Sequence, residues 1–398
     1  MNDHRQALAD LLARIGPVGA EKRAPATDLL GGRVLSEPLR LDRDSPACDV
    51  SAMDGFAVRL AELREQPLPI RGECRIGQPP EPLPPGVVRR IYTGSPLPPA
   101  ADTVVRLERG EVDQERLALL PEAELTEGAD IRCGGENARA GDQVLAAGRQ
   151  LTPAAIGALA TIGPPSVEVF RPLRVAVLTT GDELVRAEEP PSELPSWRLR
   201  DSNGPVLSSM FTPLPWVADV SREHAVDTLE ALNEKLGKMA ASADIVILTG
   251  GVSKGAYDFV PDAVRGLGGE IIFHRIAARP GQPMLGAMVG VTPVLGLPGN
   301  PLSVLCTARR MVAPILRKRA GFDTPDPPAT MVKLEAWSGK PQKVAWWRPV
   351  ERAAEGLVRL VPLRGSGDVC GPASSDGFIE APPGSDGVGP YAFYPWTI

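Results

Sequence analysis

Apolar side chains follow three rhythms along this chain. Ala7, Leu8, Leu11, Leu12 and Ile15 recur at the spacing of one helix face, which predicts a helix over 5–15. From about 46 to 142 the runs shorten. Ala57-Val58, Pro69-Ile70, Arg90-Ile91-Tyr92 and Thr103-Val104-Val105 lie between Gly and Pro turns, the texture of a small β-rich domain. Thr152-Pro153 then offers an N-cap and a first helical residue, and Ile156, Leu159 and Ile162 form the stripe of the helix that follows.

The third rhythm is continuous. Val175–Leu178, Ile245–Leu248, Ile271–Phe273 and Val294–Leu297 are unbroken apolar runs, as expected of strands covered on both faces. Helical spacing lies between and after them, at 225–239 (Ala225, Leu229, Leu232, Leu236), 259–267 and 302–319. The alternation predicts a mostly parallel sheet between helical layers over 171–325. Pro325-Asp326-Pro327-Pro328 reads as a hinge, and 326–398 as a small C-terminal β domain.

Composition narrows the function classes. With 398 residues the chain exceeds one compact core. A net charge of −6 argues against a general nucleic-acid binder, although local cations can still hold a small anion. The 43 prolines are about twice the usual share of roughly 5% and read as loop stiffeners. The five cysteines form no CxxC pair and are odd in number, which excludes a disulfide scaffold or structural zinc site as the expectation. No apolar run approaches the roughly 18 residues of a membrane span, and the mixed-charge N-terminus reads as a helix, so the expected address is the cytoplasm.

Chemistry should sit beyond the strand ends, where open α/β sheets bind ligands. The loops there are Thr179-Thr180-Gly181-Asp182-Glu183, the segment from Thr249 to Asp258, the segment from Arg275 to Pro283, and Pro298-Gly299-Asn300-Pro301-Leu302-Ser303. Glycines let backbone N–H groups approach a phosphate. Arg275, Arg279 and Lys254 supply cations, and Glu183 and Asp258 supply oxygen ligands for a hard cation such as Mg²⁺. Each loop alone equally suits a plain turn, a helix start or solvated arginines; their expected convergence on one sheet edge argues for a phosphate-ligand pocket. Neither a Walker A motif nor GxGxxG follows a strand.

Ser51-Ala52-Met53-Asp54-Gly55-Phe56-Ala57-Val58-Arg59 resembles the N-terminal signature of the molybdopterin molybdenumtransferases, the family that includes the gephyrin E domain. Arg90–Pro96, Thr180–Leu184, Asp201-Ser202-Asn203, the loop 249–258, Leu297–Ser303 and Gly365-Ser366-Gly367 are similar to its later motifs, in family order. The resemblance runs from about residue 5 to the C-terminus. It implies an elongated four-part architecture of α/β and β domains: a linking domain from 1–45 and 143–170, a β-rich insert over 46–142, a three-layer α/β molybdopterin-binding domain over 171–325, and a β-barrel-like domain over 326–398. It further implies a Mg²⁺-dependent transferase that inserts molybdate into adenylylated molybdopterin and releases AMP. The family works as a homodimer, with clefts shared between subunits.

By position, the resemblance makes Asp54, Glu183, Asp258 and Asp142 catalytic, with Glu183 and Asp258 at the metal. Gly250, Gly251, Ser253 and Gly255 would hold the pterin phosphate, and Thr93 would join Asp54 in the partner's cleft. Arg275, Arg279, Gln282, Pro298, Pro301, Arg348 and Ser366 complete the substrate-binding set. Two of these have plain competitors: Asp54-Gly55 suits a hairpin turn, and Arg348 suits stacking on Trp346 or Trp347.

Three departures stand out. The family's Lys-Pro-Gly-Lys-Pro is here Arg279-Pro280-Gly281-Gln282-Pro283; its Gly-Glu-Asp is Gly141-Asp142-Gln143; and the acid before the helix expected at 225–239 is read as His224. Two functions follow: a working transferase, of molybdate or tungstate, or a divergent member that binds molybdopterin or a partner protein as a scaffold.

Overall fold

The computed structural model describes residues 2–24, 29–253 and 258–398. The chain divides into two compact units, one of Met1–Glu37, Ala147–Gly157 and Pro165–Ile398, the other of Pro38–Ala146 and Ala158–Pro164.

The larger unit is built on a sheet in the order Val217–Ala225, Leu173–Thr180, Ile245–Thr249, Thr292–Leu297, Leu285–Val289, Glu270–His274. The first four run parallel. Leu285–Val289 is antiparallel to both its neighbours, so Glu270–His274 regains the direction of the first four. The loops after Thr180, Thr249, His274 and Leu297 therefore leave the same edge, as the strand pattern predicts.

Strand alternation divides the core. Val175, Val177, Ile245, Ile247, Leu295 and Leu297 pack with the helices His4–Leu12 and Asn203–Phe211 and the helical stretch from Pro301 to Arg319. Ala176, Leu178, Val246, Leu248 and Val294 face the helices Leu229–Ser242 and Val260–Gly266. These are the three layers expected of buried strands.

Two elements correct the sequence pattern. Val217–Ala225 is an edge strand, so Ala225 does not open a helix. The helix begins at Leu229, where Thr228 accepts the Ala231 N–H through its side chain. Asp219, Arg222 and Glu223 conceal this strand in the sequence, because an edge strand carries charge. The stretch expected at 302–319 is helical but interrupted by a π-turn over Ala308–Val312.

Thr330–Leu334, Ala345–Arg352, Leu357–Leu360, Gly377–Ala381 and Tyr391–Pro395 form a closed barrel, because Gly377–Ala381 pairs with both Tyr391–Pro395 and Ala345–Arg352. Closure removes open sheet edges. The short strand Ala278–Arg279 adds to Ala345–Arg352, which brings the 279–283 loop against the barrel.

Asp244 secures the entrance to the parallel sheet. Almost wholly buried, it accepts two bonds from the Arg171 guanidinium at 2.5 and 2.7 Å and the Arg174 N–H at 2.8 Å. Burial pushes its carboxyl up, but the Arg171 and Arg174 bonds outweigh that and hold it below the usual value. Asp244→Asn should destabilise this unit by about 2 kcal/mol, toward the low side for a broken buried pair because Arg171 can rehydrate. A depressed pKa stabilises above the unfolded value and is lost as pH falls through the folded one, so the melting difference from the parent should shrink below about pH 4. An undiminished difference at low pH would reject this account.

In the smaller unit the sheet order is Thr103–Arg106, Gly55–Val58, Val88–Ile91, Leu68–Cys74, Arg116–Leu119, Gly110–Asp113. Phe56, Val58, Leu63, Val88, Val105 and Leu117 form its core.

Candidate active site

Gly250 and Gly251 follow the strand Ile245–Thr249 with φ of 93° and 64°, where glycine is favoured. A Cβ on Gly250 would lie 2.7 Å from Thr180 Oγ1 and 2.9 Å from the Thr180 carbonyl oxygen, so the Gly250 backbone sits directly against the end of the first strand. The Gly250 N–H donates to the Leu297 carbonyl at 3.1 Å, joining the fourth loop. Asn203 joins it too, donating from Nδ2 to the Gly299 carbonyl at 2.8 Å. Ser253 is exposed and Asp258 is half-buried. Lys254 and Gly255 lie outside the described residues.

Glu183 is exposed, and its carboxylate folds back so closely that a Cβ on Gly181 would meet Oε2 at 2.7 Å. Asp182 and Asp227 bind each other's backbones: the Asp227 N–H donates to Asp182 Oδ1 at 3.1 Å and the Asp182 N–H to Asp227 Oδ2 at 3.4 Å. Arg198 donates to the Asp182 carbonyl. Burial, together with the charges of Asp182 and Glu183, pushes the Asp227 carboxyl above its usual value. Asp227 is the acid that sequence reasoning missed. His224, read there as its replacement, sits on the edge strand with Nδ1 3.4 Å from Thr179 Oγ1. The available signal was Thr228, a better N-cap than Ala225, which makes Asp227 the residue before the helix.

A cavity of about 400 Å³ lies where the third and fourth loops meet the barrel. Arg279, Gln282, Pro298 and Ser366, named separately from the sequence, all line it, with Asn300, Ser303, Gln342, Trp346 and Trp347. Asn300 Nδ2 donates to Ser366 Oγ at 2.8 Å, and Arg279 Nη1 to Gln342 Oε1 at 3.4 Å. Among the described residues Arg279 is the one charged side chain in this lining, and no carboxylate lines it. Such a wall of amides, hydroxyls and one guanidinium suits an anion.

Arg275, Pro301 and Arg348, expected beside those four, stand outside that lining. Arg275 adopts φ 74° and its N–H donates to the Met284 carbonyl at 2.7 Å. Pro301 is the first residue of the helix Pro301–Thr307. Arg348 shares a strand face with Trp346, two residues away; its guanidinium lies 4.2 Å from that ring's centroid and 5.3 Å from that of Trp337, and donates to the Ser338 carbonyl. The stacked arrangement is thus the one found, and burial lowers the Arg348 pKa.

In the smaller unit, Asp54 Oδ1 accepts the Thr93 N–H at 2.7 Å and the Thr93 hydroxyl at 2.8 Å. These bonds, the backbone one first, hold the exposed carboxylate below its usual pKa. The hairpin alternative is corrected. Gly55 opens a strand paired with Val88–Ile91 and Thr103–Arg106, and any Cβ there would run into the Val105 carbonyl oxygen. Glycine is needed for close backbone approach, and Asp54 is left facing solvent. Asp142, also exposed, accepts the Arg139 N–H at 2.8 Å and so braces a turn.

Among the described residues no helix is long and apolar enough to cross a membrane, and no group of three or more His, Cys, Asp or Glu side chains is set to hold a metal ion.

Residues 3–163 match the family model described as "MoeA N-terminal region (domain I and II)", and residues 176–318 that described as "Probable molybdopterin binding domain". A molybdopterin molybdenumtransferase of Nostoc sp. is 38% identical over 304 residues, 73% of this chain and 68% of that protein. Another from Synechococcus elongatus is 34% identical over 326 residues, 78% of each. The crystal structure of a molybdopterin biosynthesis moeA protein from Pyrococcus horikosii superposes with a TM-score of 0.81 at 26% identity, covering 100% of this chain and 99% of that one.

Proposed function

Because this chain belongs to the molybdopterin molybdenumtransferase family, we propose that it inserts molybdate into adenylylated molybdopterin, releases AMP and so yields molybdenum cofactor. The observation that carries this reading is a cavity of about 400 Å³, without a carboxylate among the described residues of its lining, which includes Arg279, Gln282, Asn300, Ser303 and Ser366. A tetrahedral dianion needs converging donors and no nearby negative charge. The cavity adjoins the sheet edge where Gly250, Gly251 and Ser253 offer a cradle for the pterin phosphate.

In this reading Arg279, Gln282 and Ser366 hold molybdate, and Pro298 walls the pocket. Pro301 sets the following helix, and Arg275 and Arg348 act from behind the cavity. Gly255 completes the phosphate loop. Asp54 and Thr93 serve the cleft of a second copy in a cytoplasmic homodimer, with Asp142 bracing the same unit.

Mg²⁺ is the metal ion of this reading, and the chemistry of the acids supports it. Asp227 is pushed up by burial and by neighbouring carboxylates, a like-charge crowding that a divalent cation relieves. Magnesium commonly takes only one or two protein carboxylates, with substrate phosphates completing the shell. Glu183 and Asp258 are the proposed ligands, with Asp227 close to Glu183. Bound there, the ion would supply charge neutralisation at the departing phosphate.

Gln282 favours a second reading. Where the family carries lysine this chain places a neutral amide at the oxyanion wall, as expected of a member that binds as a scaffold or takes tungstate. Incubation with adenylylated molybdopterin, molybdate and Mg²⁺ should release AMP; ligand retention without AMP release rejects the transferase. Gln282→Lys should tighten molybdate about tenfold by adding a cation at close range. Unchanged affinity would remove Gln282 from the oxyanion wall.

A further inference from the structure

We propose that buried Glu380 is a positioning residue for the oxyanion cavity, acting through Trp347. The inference rests on the reading of that cavity as the molybdate site.

Glu380 lies in the strand Gly377–Ala381 with 2% exposure. Elements distant in sequence converge on it. Arg5 donates to Oε1 at 2.6 and 3.2 Å, and Arg310 donates to Oε2 at 2.9 Å. His4 Nε2 lies 3.1 Å from Oε2, and Trp347 Nε1–H donates to Oε2 at 3.3 Å. Burial pushes the Glu380 carboxyl up, but His4, Arg310 and Arg5 outweigh it and hold it far below the usual range.

A core does not need such a cluster for stability. Packed apolar residues often serve as well, and a buried ionic group is better explained where it selects one arrangement. The arrangement selected here is that of Trp347. Its ring is fully buried, its N–H is fixed by Glu380, and the His4 ring packs against it at right angles with centroids 5.6 Å apart. The same residue lines the cavity. Gly281, at φ 114°, is pressed against it: a Cβ there would lie 3.2 Å from Trp347 Cζ3 and 2.6 Å from Thr307 Cγ2. Trp347 therefore decides where the loop bearing Arg279 and Gln282 comes to rest. The π-turn Ala308–Val312, which starts directly after Thr307, carries Arg310 to the same carboxylate. Irregular turns of this kind recur at functional sites.

Two variants of the full chain separate positioning from charge. Trp347→Phe keeps an aromatic ring but removes the N–H and part of the indole; Glu380→Gln keeps one acceptor oxygen and removes the charge. Molybdate affinity, measured by calorimetry, should weaken about tenfold in both, since loosened positioning of the loop bearing Arg279 and Gln282 costs binding even though both side chains remain. KM for molybdate should rise with it while kcat changes less than about twofold, the pattern of lost uniform binding. A structural role alone would reduce the active fraction and leave affinity unchanged, as in Asp244→Asn.

The sign of the Glu380→Gln effect is decisive. Removing a negative charge behind an anion site should tighten the anion if charge is all that matters. Tighter binding in Glu380→Gln, or parental affinity in Trp347→Phe, would overturn the positioning role. Should Glu380→Gln not fold, Trp347→Phe decides alone. A parent chain that binds no molybdate would instead overturn the reading of the cavity.

Discussion

Asparagine at position 54 should lower AMP release at least a hundredfold, the scale of losing a charged group that acts on the reacting centre. Asp54→Asn retains an oxygen that can accept both Thr93 bonds, at 2.7 and 2.8 Å in the parent. Loop geometry should survive while the charge is lost. Asp54 is exposed, so the melting temperature should stay within about 2 °C. Thr93 holds the carboxyl below its usual pKa, so the parent stays ionised well under neutral pH. Parental turnover in Asp54→Asn would remove it from the catalytic set and leave it a loop brace. Because the resemblance places this residue in the partner's cleft, mixing Asp54→Asn with Gly281→Ala should regain activity: hybrid dimers then contain one cleft with both parental residues. No recovery in mixtures would argue against shared clefts.

Gly281→Ala should raise the KM for molybdate more than thirtyfold and destabilise the larger unit by about 2–4 kcal/mol, combining backbone strain with overpacking. The glycine has φ 114°, a region L side chains avoid, and the added methyl would meet Thr307 Cγ2 and Trp347 Cζ3. Both neighbours are fully buried, so neither yields without repacking. Gly290→Ala isolates the strain: φ there is 58° and nothing lies within 4 Å of the added Cβ. It should cost about 1 kcal/mol and leave molybdate affinity alone. Equal affinities for Gly281→Ala and the parent would show that the loop can move without consequence for the anion.

The parts of the molecule that were legible in the sequence are those governed by neighbours along the chain. Unbroken runs such as Ile245–Leu248 announce a strand covered on both faces, and the doubled glycine after it announces positive φ. Thr228 could have located the helix start and Asp227 with it, had N-cap chemistry been weighed above the apolar stripe through Ala225. Glu380 left only a faint trace, a single acid within Gly377-Phe378-Ile379-Glu380-Ala381. Nothing local says that two arginines, a histidine and a tryptophan will meet it.

The four strand-end loops carry both kinds of information. Their order, glycine content and shared strand-end position follow from the sequence, because strand direction and backbone freedom are local properties. Which of their side chains meet was decided by tertiary structure. Barrel closure carries Ser366 to Asn300 and brings Trp347 against Gly281. Strand alternation sends Arg348 to Trp346, while the pairing of Ala278–Arg279 with the barrel brings Arg279 into the cavity. Contacts between residues far apart in sequence depend on how sheets and barrel pack, and a periodicity of two or 3.6 residues carries no information about that packing.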